Sequence, residues 1–94
     1  MQIQNAYLTH NRPKTHRSRT IAIAVHWVAN PNSTAMANRN YFNTTSRAVS
    51  SNYIIGLQGE ILCCIPDEET SWCTNKANSY TVSVECCHPD WTGC

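Results

Sequence analysis

The chain is poor in charge. Lys, Arg, Asp and Glu make up 14% of its 94 residues, and the net charge is only +1. That balance gives no electrostatic case for a nucleic-acid partner or an acidic membrane surface. Long apolar runs are also missing. The longest, Ile21 to Val28, falls far below the roughly 20 residues that a membrane-spanning helix needs, so membrane insertion is not expected. No apolar segment of the secretory type follows Met1, which predicts synthesis in the cytoplasm without a visible signal peptide. There is no internal repeat and no linker. The length suits one small domain and is too short for two.

What the chain does have is cysteine and a globular apolar content. Hydrophobic residues are 41% of the sequence, which predicts a folded rather than a disordered chain. The six cysteines fall at Cys63, Cys64, Cys73, Cys86, Cys87 and Cys94. None forms a CxxC pair, so a zinc ribbon is not supported. The two vicinal pairs sit inside strand candidates, where alternation sends neighbours to opposite faces. That pattern suits reduced, buried small hydrophobes better than a disulfide framework. A small disulfide-stapled secreted protein is the competing class, and a free-thiol count under denaturing conditions separates the two.

Hydrophobic periodicity predicts the order β–α–β–β–turn–β. Residues Met1 to Arg19 are polar and basic toward their end, and read as a solvated N-terminal arm. Residues 20–94 carry the sheet and the first helix. Thr20 to Val28 is the best strand candidate. Ser33 to Phe42 reads as a helix capped by Asn32 or Ser33, with Ala35, Asn38, Tyr41 and Phe42 on one face. Asn43 to Ser51 reads as a loop. Asn52 to Leu57 and Glu60 to Ile65 read as a hairpin whose turn uses the positive φ open to Gly59. Asp67 to Thr70 follows as a short helical turn, Thr74 to Ser79 as a polar loop, and Tyr80 to Cys87 as the last strand. His88 to Cys94 is a turn-rich tail. The fold class is α/β, a mixed sheet with a helix packed on it. No second long helix is present to cover the other face, so a domain truncated at its C-terminus is expected.

Two residues in these strands can carry chemistry. His26 ends the first strand and faces a loop, where an imidazole either caps the strand or binds a metal or moves a proton. In the last strand Thr81, Ser83, Glu85 and Cys87 share one face, and in the first Ala22, Ala24 and His26 share one. If the strands are neighbours, His26 and Glu85 point into one cleft; otherwise Glu85 lies on a solvated face. A carboxylate in a sheet interior is costly unless it is paired or functional.

The run from Ile23 to Pro31, with His26 at its centre, resembles the first strand of the zinc-dependent N-acetylmuramoyl-L-alanine amidases. The stretches Ser33 to Phe42, Tyr53 to Ile61, Cys64 to Pro66 and Asn78 to Asp90 are similar to that family's helix, central hairpin and next strand. Ile3 to Thr9 resembles the openings of its clostridial and phage members. The resemblance covers nearly the whole chain, in order, and is greatest to the phage endolysin and sporulation-lysin branch, related to peptidoglycan-recognition proteins.

The resemblance implies a peptidoglycan hydrolase that acts on the cell wall. It would cut the amide between the muramic acid lactyl group and L-alanine, with Zn2+ as cofactor. His26 matches the first zinc ligand, and Glu85 the acidic residue beside the metal-bound water. The family's remaining ligands, a His and a Cys or Asp, come late, beyond the point where this chain ends. His88 and Cys94 are the substitutes available in the tail. Asn52 and Cys73 stand where many members have His. No wall-binding repeat is seen. The competing reading is a peptidoglycan-binding module that does not cut. The open sheet face further predicts self-association, and the short ligand set predicts little activity for this chain alone.

Overall fold

The computed structural model describes residues 2–17, 19–73, 78 and 80–92. Its centre is a mixed five-stranded sheet in the order β1-β4-β3-β5-β2. The strands are β1 (Ile3–Asn5), β2 (Ala22–Trp27), β3 (Tyr53–Ile55), β4 (Ile61–Cys63) and β5 (Thr81–Cys86), and helix α1 (Ala35–Thr44) lies between β2 and β3 in the chain. Only the β3–β4 hairpin is antiparallel; β1 joins β4, and β5 joins both β3 and β2, in parallel. The hairpin turns at Gly59, whose φ of 83° is one that an L side chain resists.

Helix α1 starts later than its apolar pattern suggests. The cap is Thr34, whose side chain accepts from the Ala37 amide, and neither Asn32 nor Ser33 fills that role. Asn32 instead takes a positive φ of 60° in the loop before the helix. Ala35, Asn38 and Phe42 face inward, while Tyr41 remains 47% exposed. The helix packs over β3 and β4. Together they bury Leu8, Ala35, Phe42, Ile54, Leu62, Cys64 and Ile65.

The N-terminal segment is not a free arm. β1 adds an edge strand to the sheet, and the amides of Ala6 and Leu8 continue the pairing to the carbonyls of Cys63 and Cys64. Leu8 is 1% exposed. Arg12 then forks onto Glu69 with two bonds of 2.8 Å, from Nε and Nη2. Arg17 donates to the Glu69 carbonyl. The basic residues that suggest a solvated run are therefore partly used to hold this segment down.

Residues Asp67 to Glu69 form a turn rather than a helix. The Glu69 amide bonds back to the Pro66 carbonyl, and Glu69 bridges to His16. Most of the predicted loop from Thr74 to Ser79, and Cys94 in the tail, lie outside the described residues. No disulfide joins the described cysteines: Cys63 and Cys64 are buried, and Cys73, Cys86 and Cys87 half-buried.

The two faces of the sheet differ. On the helix side Ile54, Leu62, Thr81, Ser83 and Glu85 are buried. On the other side Ile3, Ile23 and Val25 are 54%, 68% and 67% exposed. No described helix packs on that side.

Candidate active site

β5 positions the first candidate residue. In the register of the parallel pair, His26 of β2 lies opposite Glu85 of β5. Register partners point to the same side of a sheet, so both residues belong to the helix-side face. Their surroundings diverge. Glu85 is 8% exposed. His26 is exposed, because β2 is an edge strand of the described sheet and no described element packs outside it.

Glu85 lies at a cleft of about 440 Å³. One wall is the loop that leaves β2, Val28 to Asn30; another is α1, through Asn38, Tyr41 and Phe42; Arg47 and Val49 complete it. His26 is not among the residues lining this cleft. It borders a separate depression of about 500 Å³ with Val25, Trp27 and Cys86. The two residues thus share a sheet face and a register position, but not a cavity.

The carboxylate is arranged unusually. Its Oε1 lies 3.7 Å from the Cys73 sulfur, and its Oε2 is buried with no hydrogen-bond partner. Burial pushes Glu85 up to about 7, against the smaller opposing effect of the Cys73 contact. Burial also pushes the Cys73 thiol up to about 12, so it stays protonated and donates. A carboxyl near neutrality, with one oxygen held and the other unpaired, is suited to taking and returning a proton.

Asn52 does not reach the cleft. It is fully buried, and its side-chain amide donates to the carbonyls of Ile65, Pro66 and Glu69 at 3.0–3.3 Å. Its Oδ1 accepts from the Ser83 amide, and Ser83 in turn meets Ser71 at 2.5 Å. This residue ties β5 to the two segments beside it, a structural duty that the sequence pattern does not reveal. Sequence reasoning also misses Arg47, which lies in a loop outside any recognisable motif, and it puts Tyr41 on the helix's inward face without marking it as a cleft residue.

His88 is placed elsewhere. Its ring stacks on Trp27 at 4.4 Å, and its Nδ1 donates to the Asp90 carbonyl at 2.7 Å. Nε2 is buried without a partner. Trp27 is in register with Cys86, on the sheet face opposite Glu85. Among the described residues, one group of three potential metal donors converges: His16, Glu68 and Glu69. None of its members lines the Glu85 cleft, and Glu69 is already held by Arg12. A catalytic zinc needs three protein ligands. His26 has no second and third donor converging on it among the described residues, so these residues do not by themselves fit a zinc site.

Residues 16–93 match the family model described as N-acetylmuramoyl-L-alanine amidase. The chain belongs to that family. Solved endolysin and hydrolase structures share the fold of this domain. A mutant endolysin from Bacillus subtilis superposes with a TM-score of 0.78 at 22% identity, over 95% of this chain and 62% of that one. The catalytic domain of XlyA gives 0.79 at 22% identity, over 93% of this chain and 61% of that one. The Staphylococcus aureus hydrolase AmiA, solved with its ligand, gives 0.84 at 22% identity, over 97% of this chain and 46% of that one. This amidase domain thus spans between 46% and 62% of the length of these solved chains. No curated protein matches it. No helix among its described residues is long and apolar enough to cross a membrane.

Proposed function

We propose that this chain forms part of the catalytic region of a peptidoglycan amidase, which cleaves the amide between N-acetylmuramic acid and L-alanine in the cell wall. The observation that carries the reading is Glu85: a buried carboxylate with an unpaired oxygen, at the cleft between β5 and α1. Family membership supplies the reaction class. In this reading Glu85 takes a proton from the attacking water and returns it to the leaving amine of L-alanine. A module that only binds peptidoglycan would have no use for a carboxylate kept unpaired at such cost.

His26, in register with Glu85, is the residue of this chain that would ligate zinc in the family's manner. Its co-ligands must come from outside the described residues. We therefore assign little activity to the 94-residue chain alone. The exposed apolar face of the sheet also supports self-association of the isolated chain.

The test compares purified cell walls treated, in zinc-containing buffer, with this chain and with a longer form that completes the length seen in the solved amidases. The longer form is expected to clear the suspension and release new L-alanine amino groups without new reducing sugar ends. Glu85→Gln in that form should slow the reaction by about 10²–10⁴-fold. An unchanged rate would remove Glu85 from the mechanism. Full lysis by the 94-residue chain, lost in His88→Ala or Cys94→Ala, would assign the remaining ligands to the tail.

A further inference from the structure

Of the five arginines, three fasten one part of the chain to another, while Arg19 and Arg47 have no side-chain hydrogen-bond or ion-pair partner among the described residues. Arg12 grips the Glu69 carboxylate. Arg17 donates to the Glu69 carbonyl and to Thr20. Arg39 donates to the carbonyls of Ala6 and Tyr7, at 3.0 and 2.7 Å. Each of these fastens one part of the chain to another. Arg47 differs: it lines the Glu85 cleft, and its guanidinium has no hydrogen-bond or ion-pair partner among the described residues.

The other polar side chains of that cleft are Asn30, Asn38, Tyr41 and Glu85. Arg47 is thus the sole basic group among the described residues of its lining. Glu85 does not neutralise it, since the pair is not within ion-pair distance. A guanidinium is planar, always charged, and matches a carboxylate with two parallel bonds. A cleft with one buried acid and one free, exposed guanidinium is therefore matched to a ligand that has a neutral bond at one end and a carboxylate further along. The substrate proposed above has that form: the amide to be cut is neutral, and the stem peptide beyond L-alanine carries an acidic residue.

We propose that Arg47 reads a free carboxylate on the stem peptide, so that the cleft prefers wall fragments whose acidic stem residue is left unamidated. The inference rests on the amidase reading and adds a substrate preference to it. Arg47 is a specificity residue in this scheme and does not touch the bond being cut. Because the guanidinium is solvated, the preference is modest and weakens with salt.

The experiment titrates the 94-residue chain, labelled with nitrogen-15, with two soluble probes followed by NMR. One is N-acetylmuramoyl-L-alanyl-D-glutamate; the other is its analogue with both glutamyl carboxylates amidated. The acid is expected to bind about three- to tenfold more tightly than the diamide, with shifts in residues 28–30 and at Glu85. Arg47→Gln should bind both probes alike, at the level of the diamide, and Arg47→Lys should keep part of the preference. The variant should fold normally, because the side chain it removes is exposed and unpartnered. Equal binding of both probes by the unmodified chain, or a preference that survives in Arg47→Gln, would overturn the role of Arg47 and leave the amidase reading intact. If neither probe perturbs the cleft at millimolar concentration, this inference falls, while lysis by the longer form decides the amidase reading separately.

Discussion

Glu69 and Glu85 are both buried, and they differ in every other respect. Glu69 is 7% exposed and sits in a two-bond fork with Arg12, which holds its carboxyl below the usual range. Glu85 is 8% exposed, has only a weak thiol donor on one oxygen, and is pushed up to about 7. Equal burial therefore says little about a carboxylate's role. What counts is whether the fold provides a counter-charge. The Arg12–Glu69 pair fastens the N-terminal segment to the turn after β4. Glu85 is given no counter-charge among the described residues, and under the proposed function that cost is retained where a proton carrier is of use.

The sharpest way to break this contrast is Arg12→Ala, which would give Glu69 the condition of Glu85. Leaving a buried carboxylate without its partner should cost about 2–4 kcal/mol in urea unfolding at neutral pH. The loss should shrink in acid. A carboxyl held below its ordinary value contributes stability that is present above that value and is lost as pH falls through the folded one. A variant as stable as the parent at pH 7 would show that the fork contributes nothing.

The opposite change acts on Glu85. A carboxyl whose folded value is raised keeps its proton more tightly when folded, so stability falls as pH rises from 4.5 to about 7 and stays low above. Glu85→Gln should therefore be near neutral in acid and stabilise the chain by about 1–3 kcal/mol above pH 7. Unfolding midpoints across that range would show it, and a pH-independent difference would contradict the burial argument. The smallest effect is expected from Thr34→Ala, which removes the N-cap of α1 at a cost of about 1 kcal/mol. This loss should be the same at pH 5 and pH 8, because no titrating group is involved, and so it serves as the reference for the other two.

Much of this contrast could not be read from the sequence. Alternation in β2 and β5 correctly gives the parity that places His26 and Glu85 on one face, and Gly59 marks the hairpin. Three-residue β1 has no apolar alternation to announce it, and its partner β4 lies far along the chain. The acidic run Asp67 to Glu69 reads as a helix start, because the pairing of Glu69 with Arg12 and His16 is non-local. The faces were also harder to rank than to identify. Bulky Ile23 and Val25 would be placed inward by hydrophobicity, yet they are exposed while Thr81, Ser83 and Glu85 are buried. Asn52 is what makes that polar face burial feasible, by meeting Ser83 and three carbonyls at once.

The strand order has a consequence for how the chain is made. β2 lies early in the chain, yet among the described residues its sheet neighbour is β5, far along the sequence. β1 likewise waits for β4. Only the β3–β4 hairpin can form from adjacent sequence. Each parallel pairing must close a long loop before any contact offsets the lost entropy, which makes folding slow and late. A ribosome carrying this chain up to residue 80 would expose Ala22–Trp27 with both edges unpaired. During that interval the apolar side chains of β2 are open to association with other chains.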